Sequence, residues 1–285
     1  MPFGRESTGP GVPSEPGKRM GGPRRGSSNR RAAATPARPL VGRDGELGVL
    51  RRSLTEGAAG VVISGELGVG KSRLAAAFRD ALVADGWTSS VHVASEARRT
   101  IPFSAFTALL DDGGDARNPL QHLLEGAARL DADGQPVLVH VEDGQWLDDE
   151  SLAFLQQVAE STTATLLVTV RTGEPGSSRI LELARTLGLR RLEVQPLSRA
   201  EVGTLLAGLV PGISRSEVRR LWEQTGGNPL YLHELVTYSL EAGGMTAGED
   251  GLALAALDHT GLAEVVGGRL DDLDAGQLEA VALLA

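Results

Sequence analysis

Apolar residues occur in two kinds of run along the first two thirds of the chain. Five short runs are continuously apolar or alternate with a period of two, which predicts strands at 60–65, 89–95, 136–142, 165–170 and 190–194. The longer stretches between them repeat apolar residues every three or four positions, which predicts helices. Strands that alternate with helices of this length predict an α/β fold, in which helices cover both faces of a parallel sheet.

The pattern changes after Pro196. Residues 198–209, 214–226 and 228–244 predict three helices with no strand between them. Residues 243–251 are polar and rich in glycine, which favours a linker. Two further helical stretches follow, and the last ends at Ala285 without a capping signal, which suggests a domain that is cut short.

The net charge of −9 is distributed unevenly. Residues 1–38 contain eight basic and two acidic side chains, so they carry +6 and the remainder carries −15. This first segment is too poor in large apolar residues to form a core, which predicts a disordered basic tail. The tail could contact nucleic acid or an acidic partner, or it could be a solvated extension. The acidic remainder argues against nucleic-acid binding by the folded part.

Composition also excludes several classes of protein. No apolar run approaches the roughly 18 residues of a membrane span, and the N-terminus has no apolar signal core. The absence of cysteine excludes disulfides and thiolate chemistry, and it fits a cytoplasmic protein.

A glycine-rich loop follows the first predicted strand. The sequence GELGVGKS at 65–72 fits the pattern of a phosphate-binding loop between a strand and a helix. The chain has only two lysines against 26 arginines, and one of them, Lys71, occupies the position that contacts the β- and γ-phosphates. Ser72 is expected to bind Mg²⁺. The predicted nucleotide-binding residues of this loop are Gly65, Gly68, Val69, Gly70, Lys71, Ser72 and Arg73.

Two carboxylates end the strand at 136–142. Glu142 and Asp143 follow directly after apolar residues, at the edge of the sheet where α/β proteins bind ligands. We expect Glu142 to act as the metal carboxylate and Asp143 to polarise the attacking water. His140, within the same strand, is expected to be a packed core residue.

Two further positions are ambiguous on pattern alone. Arg171 ends the strand at 165–170 and could sense the γ-phosphate, or it could be a solvated arginine. Asn228 and Pro229 favour a helix start, with Asn228 as the N-cap, and this start could also lie against the nucleotide.

Six short motifs, taken in order, resemble the ATPase region of signal-transduction ATPases with numerous domains (STAND), above all large ATP-binding LuxR-family regulators. The motifs are LVGRDGEL, GELGVGKSRL, VEDGQWLDDESL, LLVTVR, PLSRAEV and GGNPLYLHEL. The resemblance covers residues 39–285. It implies a P-loop NTPase core at 39–195, a helical lid at 196–245, and a linker with the start of a winged-helix-like domain at 246–285. It also implies an ATP/ADP switch that drives self-association and signalling through a partner that the sequence does not identify.

Carried onto this chain, the resemblance places Val41 and Gly42 beside the adenine and makes Pro229 a lid contact. It gives Arg171 the role of first sensor. Two departures stand out, since Glu142 replaces a commoner Asp and Gln145 replaces a frequent histidine. The C-terminal helix-turn-helix of the regulators is absent from the sequence, so DNA binding cannot be carried over.

The leading hypothesis is therefore an ATP-binding protein that hydrolyses ATP slowly to signal. Two alternatives remain at this point, a nucleotide-dependent binding module without turnover and a small-molecule P-loop kinase.

Overall fold

The computed structural model describes residues 40–109, 119–130, 134–241, 244–248 and 251–254. All of these belong to one compact unit that spans Arg38–Ala285. The predicted basic tail at 1–38 and the winged-helix-like region beyond Leu254 lie outside the described residues. No helix among the described residues is both long enough and apolar enough to cross a membrane.

The five predicted strands are confirmed and form one parallel sheet. The strands are β1 (Gly60–Gly65), β2 (Thr88–Val93), β3 (Val137–Glu142), β4 (Thr165–Arg171) and β5 (Arg190–Glu193). Their order is β2-β3-β4-β1-β5, so the connection from β1 to β2 passes over β3 and β4. Because the strand order reverses beside β1, a crevice opens at the carboxyl ends of β1 and its neighbours.

Helices cover both faces of this sheet, as the pattern predicted. The helices of this part are α1 (Asp44–Thr55), α2 (Lys71–Ala84), α3 (Pro119–Leu130), α4 (Asp149–Ser161) and α5 (Ser177–Thr186). Successive strand residues point to opposite faces. Accordingly, Ile63 and Leu138 pack with α1 and α2, whereas their neighbours Val62 and Val139 pack with α3, α4 and α5.

Three helices follow β5 and share a core of their own, and we call this segment the lid after the prediction made for it. They are α6 (Arg199–Leu209), α7 (Arg215–Thr225) and α8 (Pro229–Glu241). Ser198 caps α6 in a capping box with Glu201, and Ser214 caps α7. The buried core of this lid includes Val202, Leu206, Leu221, Leu232 and Leu235.

The prediction of a linker at 243–251 is wrong, because two short strands begin within this segment. An antiparallel hairpin joins β6 (Met245–Gly248) to β7 (Gly251–Leu254). Leu252 exchanges backbone hydrogen bonds with Gly212 and Ser214 at the start of α7. Strands of four residues are too short for an alternating pattern to show in the sequence, and contact with the lid supplies the pairing that stabilises them.

Candidate nucleotide-binding site

The glycine-rich loop lies between β1 and α2, at the crevice beside the strand reversal. Gly68 has a φ of 75° and Gly70 a φ of 98°, which are left-handed conformations that favour glycine. Helix α2 begins at Lys71, so the backbone N–H groups of its first turn face the loop. Such a helix start is suited to bind a phosphate.

Lys71 is buried within this loop. Its ammonium donates a hydrogen bond of 2.7 Å to the backbone oxygen of Glu66. Burial lowers the pKa of Lys71 to about 8, and the nearby carboxylate of Asp143 opposes this shift only in part. The loop therefore contains a poorly solvated cation close to the helix start, and an anionic ligand would stabilise its charged form.

Glu142 joins the loop to the end of β3. Ser72 Oγ donates a hydrogen bond of 2.7 Å to Glu142 Oε2, and Thr169 Oγ1 donates another of 2.9 Å to the same atom. Burial alone would raise the pKa of Glu142, but the contacts with His140, Ser72 and Thr169 outweigh it and lower the pKa. The side chain is therefore an ionised carboxylate beside a hydroxyl, a set of oxygen donors that fits Mg²⁺.

His140 is completely buried in β3, as predicted, but it also lies against the site. Its Nε2 atom is 2.9 Å from Glu142 Oε1. The ring nitrogen makes no well-directed hydrogen bond to that oxygen. We therefore regard the contact as a short electrostatic one that restrains the carboxylate from the side of the core.

Asp143 and Arg171 form an ion pair at the ends of neighbouring strands. Arg171 Nε donates to Asp143 Oδ1 at 3.1 Å, and Arg171 Nη2 donates to Oδ2 at 2.8 Å. The backbone N–H of Asp143 donates to Thr169 Oγ1 at 3.0 Å. Gln145 Nε2 donates to Asp143 Oδ1 at 3.1 Å. The second acid is thus fixed by four hydrogen bonds.

The start of α8 contacts the glycine-rich loop directly. Asn228 Oδ1 accepts a hydrogen bond of 3.0 Å from Leu230 N, which confirms it as the N-cap of the helix. Its Nδ2 donates a hydrogen bond of 2.8 Å to the backbone oxygen of Leu67 in the loop. A Cβ atom at Gly68 would collide with Leu230. Pro229 is buried between these two contacts.

The segment before α1 contacts both the loop and the lid. Arg43 is almost fully buried, and its Nη2 donates a hydrogen bond of 2.9 Å to the backbone oxygen of Val69. Gly42 has a φ of 71°, and a Cβ atom there would collide with Glu201 at the start of α6. Val41 is half-buried beside it. Arg73 is half-buried in the first turn of α2.

Sequence reasoning missed three side chains that organise this site. Thr169 bonds to both acids, and its signal was a polar residue inside the apolar strand β4. Arg43 gave no comparable signal, because its partner in the loop lies 26 residues away along the chain. Gln145 was noted only as a departure from the resemblance, and its bond to the backbone N–H of Arg171, also 26 residues away, could not be read from the sequence.

Comparison with known proteins agrees with this geometry. Residues 39–170 match the family of the AAA ATPase domain, a little under half of the chain. This part of the chain is therefore similar to AAA ATPase domains. No curated protein matches this sequence significantly.

Several solved structures share the fold at low sequence identity. A Walker-type ATPase of Pyrococcus abyssi has a TM-score of 0.51 at 15% identity, covering 82% of this chain and 75% of that one. The Orc1 protein of Aeropyrum pernix, solved in complex with DNA, has a TM-score of 0.53 at 12% identity, with coverage of 82% and 66%.

A STAND protein with a tetratricopeptide repeat sensor, from Pyrococcus horikoshii, has a TM-score of 0.43 at 21% identity. The match covers 69% of this chain and 30% of that protein, so this chain spans about a third of the STAND protein's length.

Proposed function

We propose that this protein binds ATP and ADP with Mg²⁺ and hydrolyses ATP slowly, as the switch of a signalling protein. The observation that carries the proposal is the 2.7 Å hydrogen bond from Ser72 to Glu142. It brings the hydroxyl at the start of α2 and the carboxylate at the end of β3 together beside the glycine-rich loop.

Each group in the loop has a chemical task under this proposal. Lys71 and the first turn of α2 would bind the β- and γ-phosphates, because they offer a buried cation and backbone donors. Ser72 and Glu142 would hold Mg²⁺, which neutralises phosphate charge when it is bound. Val41 and Gly42 would border the adenine, and Pro229 would be the lid contact, since all three lie at the junction of loop and lid.

Asp143 would polarise the attacking water, next to the sensor Arg171. In the structure, the Asp143 carboxylate already accepts hydrogen bonds from Arg171 and Gln145. These three hydrogen bonds already occupy most of the acceptor positions of the carboxylate, which would have to release some of them to orient a water. This arrangement supports slow intrinsic turnover.

The contacts between loop and lid support the switch. Asn228 and Leu230 bond to the backbone oxygens of Leu67 and Gly68. A change in the loop on exchange of ATP for ADP would therefore be transmitted to α8. The motif resemblance to LuxR-family regulators supports a role in nucleotide-dependent self-association and transcription regulation, with an input and an output partner still to be identified.

Two measurements on the same protein separate this proposal from its alternatives. Calorimetry with ATP and ADP tests binding, and a phosphate-release assay tests turnover. Binding with turnover supports the switch, whereas binding without phosphate release favours an interaction module. Transfer of the γ-phosphate from labelled ATP to a metabolite pool, rather than to water, would favour the kinase.

A further inference from the structure

Gln145 connects the two strand ends that carry Asp143 and Arg171. Its Nε2 donates a hydrogen bond of 3.1 Å to Asp143 Oδ1, and its Oε1 accepts a hydrogen bond of 3.0 Å from the backbone N–H of Arg171. The partners fix the orientation of the amide, because a carboxylate only accepts and a backbone N–H only donates. The side chain is nearly fully buried, so both of its polar ends depend on these two bonds.

The backbone around Gln145 is held as firmly as its side chain. A Cβ atom at Gly176, just before α5, would collide with the Gln145 carbonyl oxygen. A Cβ atom at Gly144 would lie 2.8 Å from Val168 in β4. The turn at 144–146 is therefore packed against β4 and the start of α5, and it has little freedom to move by itself.

Asp143 needs such support because its backbone is strained. It has a φ of 53°, in the left-handed region that residues other than glycine rarely adopt. Strained backbone persists only where surrounding contacts determine it, and it is found preferentially at functional sites. Gln145 supplies one of those contacts through the Asp143 carboxylate.

We infer that Gln145 is a positioning residue, which holds the Asp143 carboxylate at a fixed place relative to the end of β4. Gln145 itself touches neither nucleotide nor water in this role. It acts by keeping the water-polarising acid and the sensor arginine in register. The inference rests on the proposed ATPase function and extends it to one further residue.

Replacement by an apolar residue of similar length tests the inference. Gln145→Met keeps the volume and removes both hydrogen bonds. We expect turnover at saturating ATP to fall roughly 10-fold to 100-fold, the scale of a misplaced catalytic group. The Kd for ATP should stay unchanged, because the phosphate-binding loop and Glu142 are untouched.

A second variant separates the two bonds of the amide. Gln145→Glu keeps an oxygen that can accept from Arg171 N–H, but it cannot donate to Asp143 while it is ionised. We expect turnover to fall in this variant as well. The matched control is Gln156→Met, since Gln156 is half-buried on α4 and bonds only to Glu160 at 2.9 Å among the contacts described. Its turnover should equal that of the wild type.

Amide exchange supplies a readout that does not depend on activity. In Gln145→Met the backbone N–H of Arg171 should exchange faster than in the wild type, while Gln156→Met should not change it.

Three results would distinguish failure of the proposed function from failure of the positioning role. If the wild type binds ATP but releases no phosphate, the proposed function is wrong, and the positioning role is lost with it. If the wild type is active and Gln145→Met is equally active, the positioning role alone is wrong. A loss of ATP affinity in parallel with turnover would show that Gln145 only maintains the fold.

Discussion

Lys71 is the residue on which nucleotide affinity should depend most. The conformation of its loop rests on the backbone of Gly68 and Gly70, so removal of the lysine side chain should leave the loop intact. Lys71→Ala is therefore expected to weaken ATP binding by about 2–3 kcal/mol, the scale of charge-assisted hydrogen bonds. Calorimetry measures the affinity, and far-UV circular dichroism checks that the variant is folded. Wild-type affinity in a folded variant would contradict the assignment of the loop.

A buried histidine should make stability depend on pH. His92 in β2 is shielded from water, and burial lowers its pKa from 6.5 to about 4. Between these values the unfolded chain binds a proton that the folded protein does not, so stability rises with pH across this window and falls on acidification. This pKa difference corresponds to about 3 kcal/mol in the free energy of unfolding.

The pH prediction can be assigned to this residue by substitution. His92→Gln keeps a polar group next to Ser90, whose hydroxyl lies 2.6 Å from His92 Nε2, and it removes the titration. Urea denaturation at pH values between 4 and 6.5 should give a flatter dependence of the free energy of unfolding in the variant. Equal slopes in the two proteins would show that other groups cause the acid sensitivity.

At the scale of elements, the lid is connected to the glycine-rich loop through the start of α8. Asn228 performs two tasks, since it caps the helix and donates to Leu67 O. Asn228→Ala should therefore cost roughly 1 kcal/mol of stability from the lost cap, and it should also weaken nucleotide binding. Thermal unfolding and calorimetry measure the two effects separately.

The matched control for this variant is Ser214→Ala. Ser214 caps α7 by accepting a hydrogen bond of 3.1 Å from Glu217 N, and it makes no described contact with the loop. It should lower stability by a similar amount while leaving ATP affinity unchanged. If both variants bind ATP alike, the contact between α8 and the loop does not contribute to the site.

Local sequence patterns were sufficient to predict the strands and helices of the sheet, because these elements depend on residues that are close together along the chain. The apolar runs gave all five parallel strands, and glycine spacing with Lys71 located the loop. The hairpin at Met245–Leu254 was missed because its strands are short and its pairing depends on the lid. Contacts such as that of Gln145 with Arg171 were also missed, since they depend on which strands become neighbours.

At the scale of the whole molecule, the strand order explains why these residues meet. Strand β3 lies beside β4, and β4 lies beside β1, so the two acids, Arg171 and the glycine-rich loop share one edge of the sheet. The lid contacts the glycine-rich loop at this edge through the start of α8. The match to the AAA ATPase domain family ends at residue 170, within β4, and the lid contacts extend the candidate site beyond it.

The central claim is that the two acids at the end of β3 divide the work of ATP hydrolysis. Single-turnover phosphate release by Asp143→Asn, alongside its ATP affinity, tests it most directly. We predict that the variant binds ATP like the wild type and loses turnover by roughly 10²–10⁴-fold, the contribution of a positioned base. Wild-type turnover in Asp143→Asn would contradict the account, and it would leave a protein that binds nucleotide without using this acid.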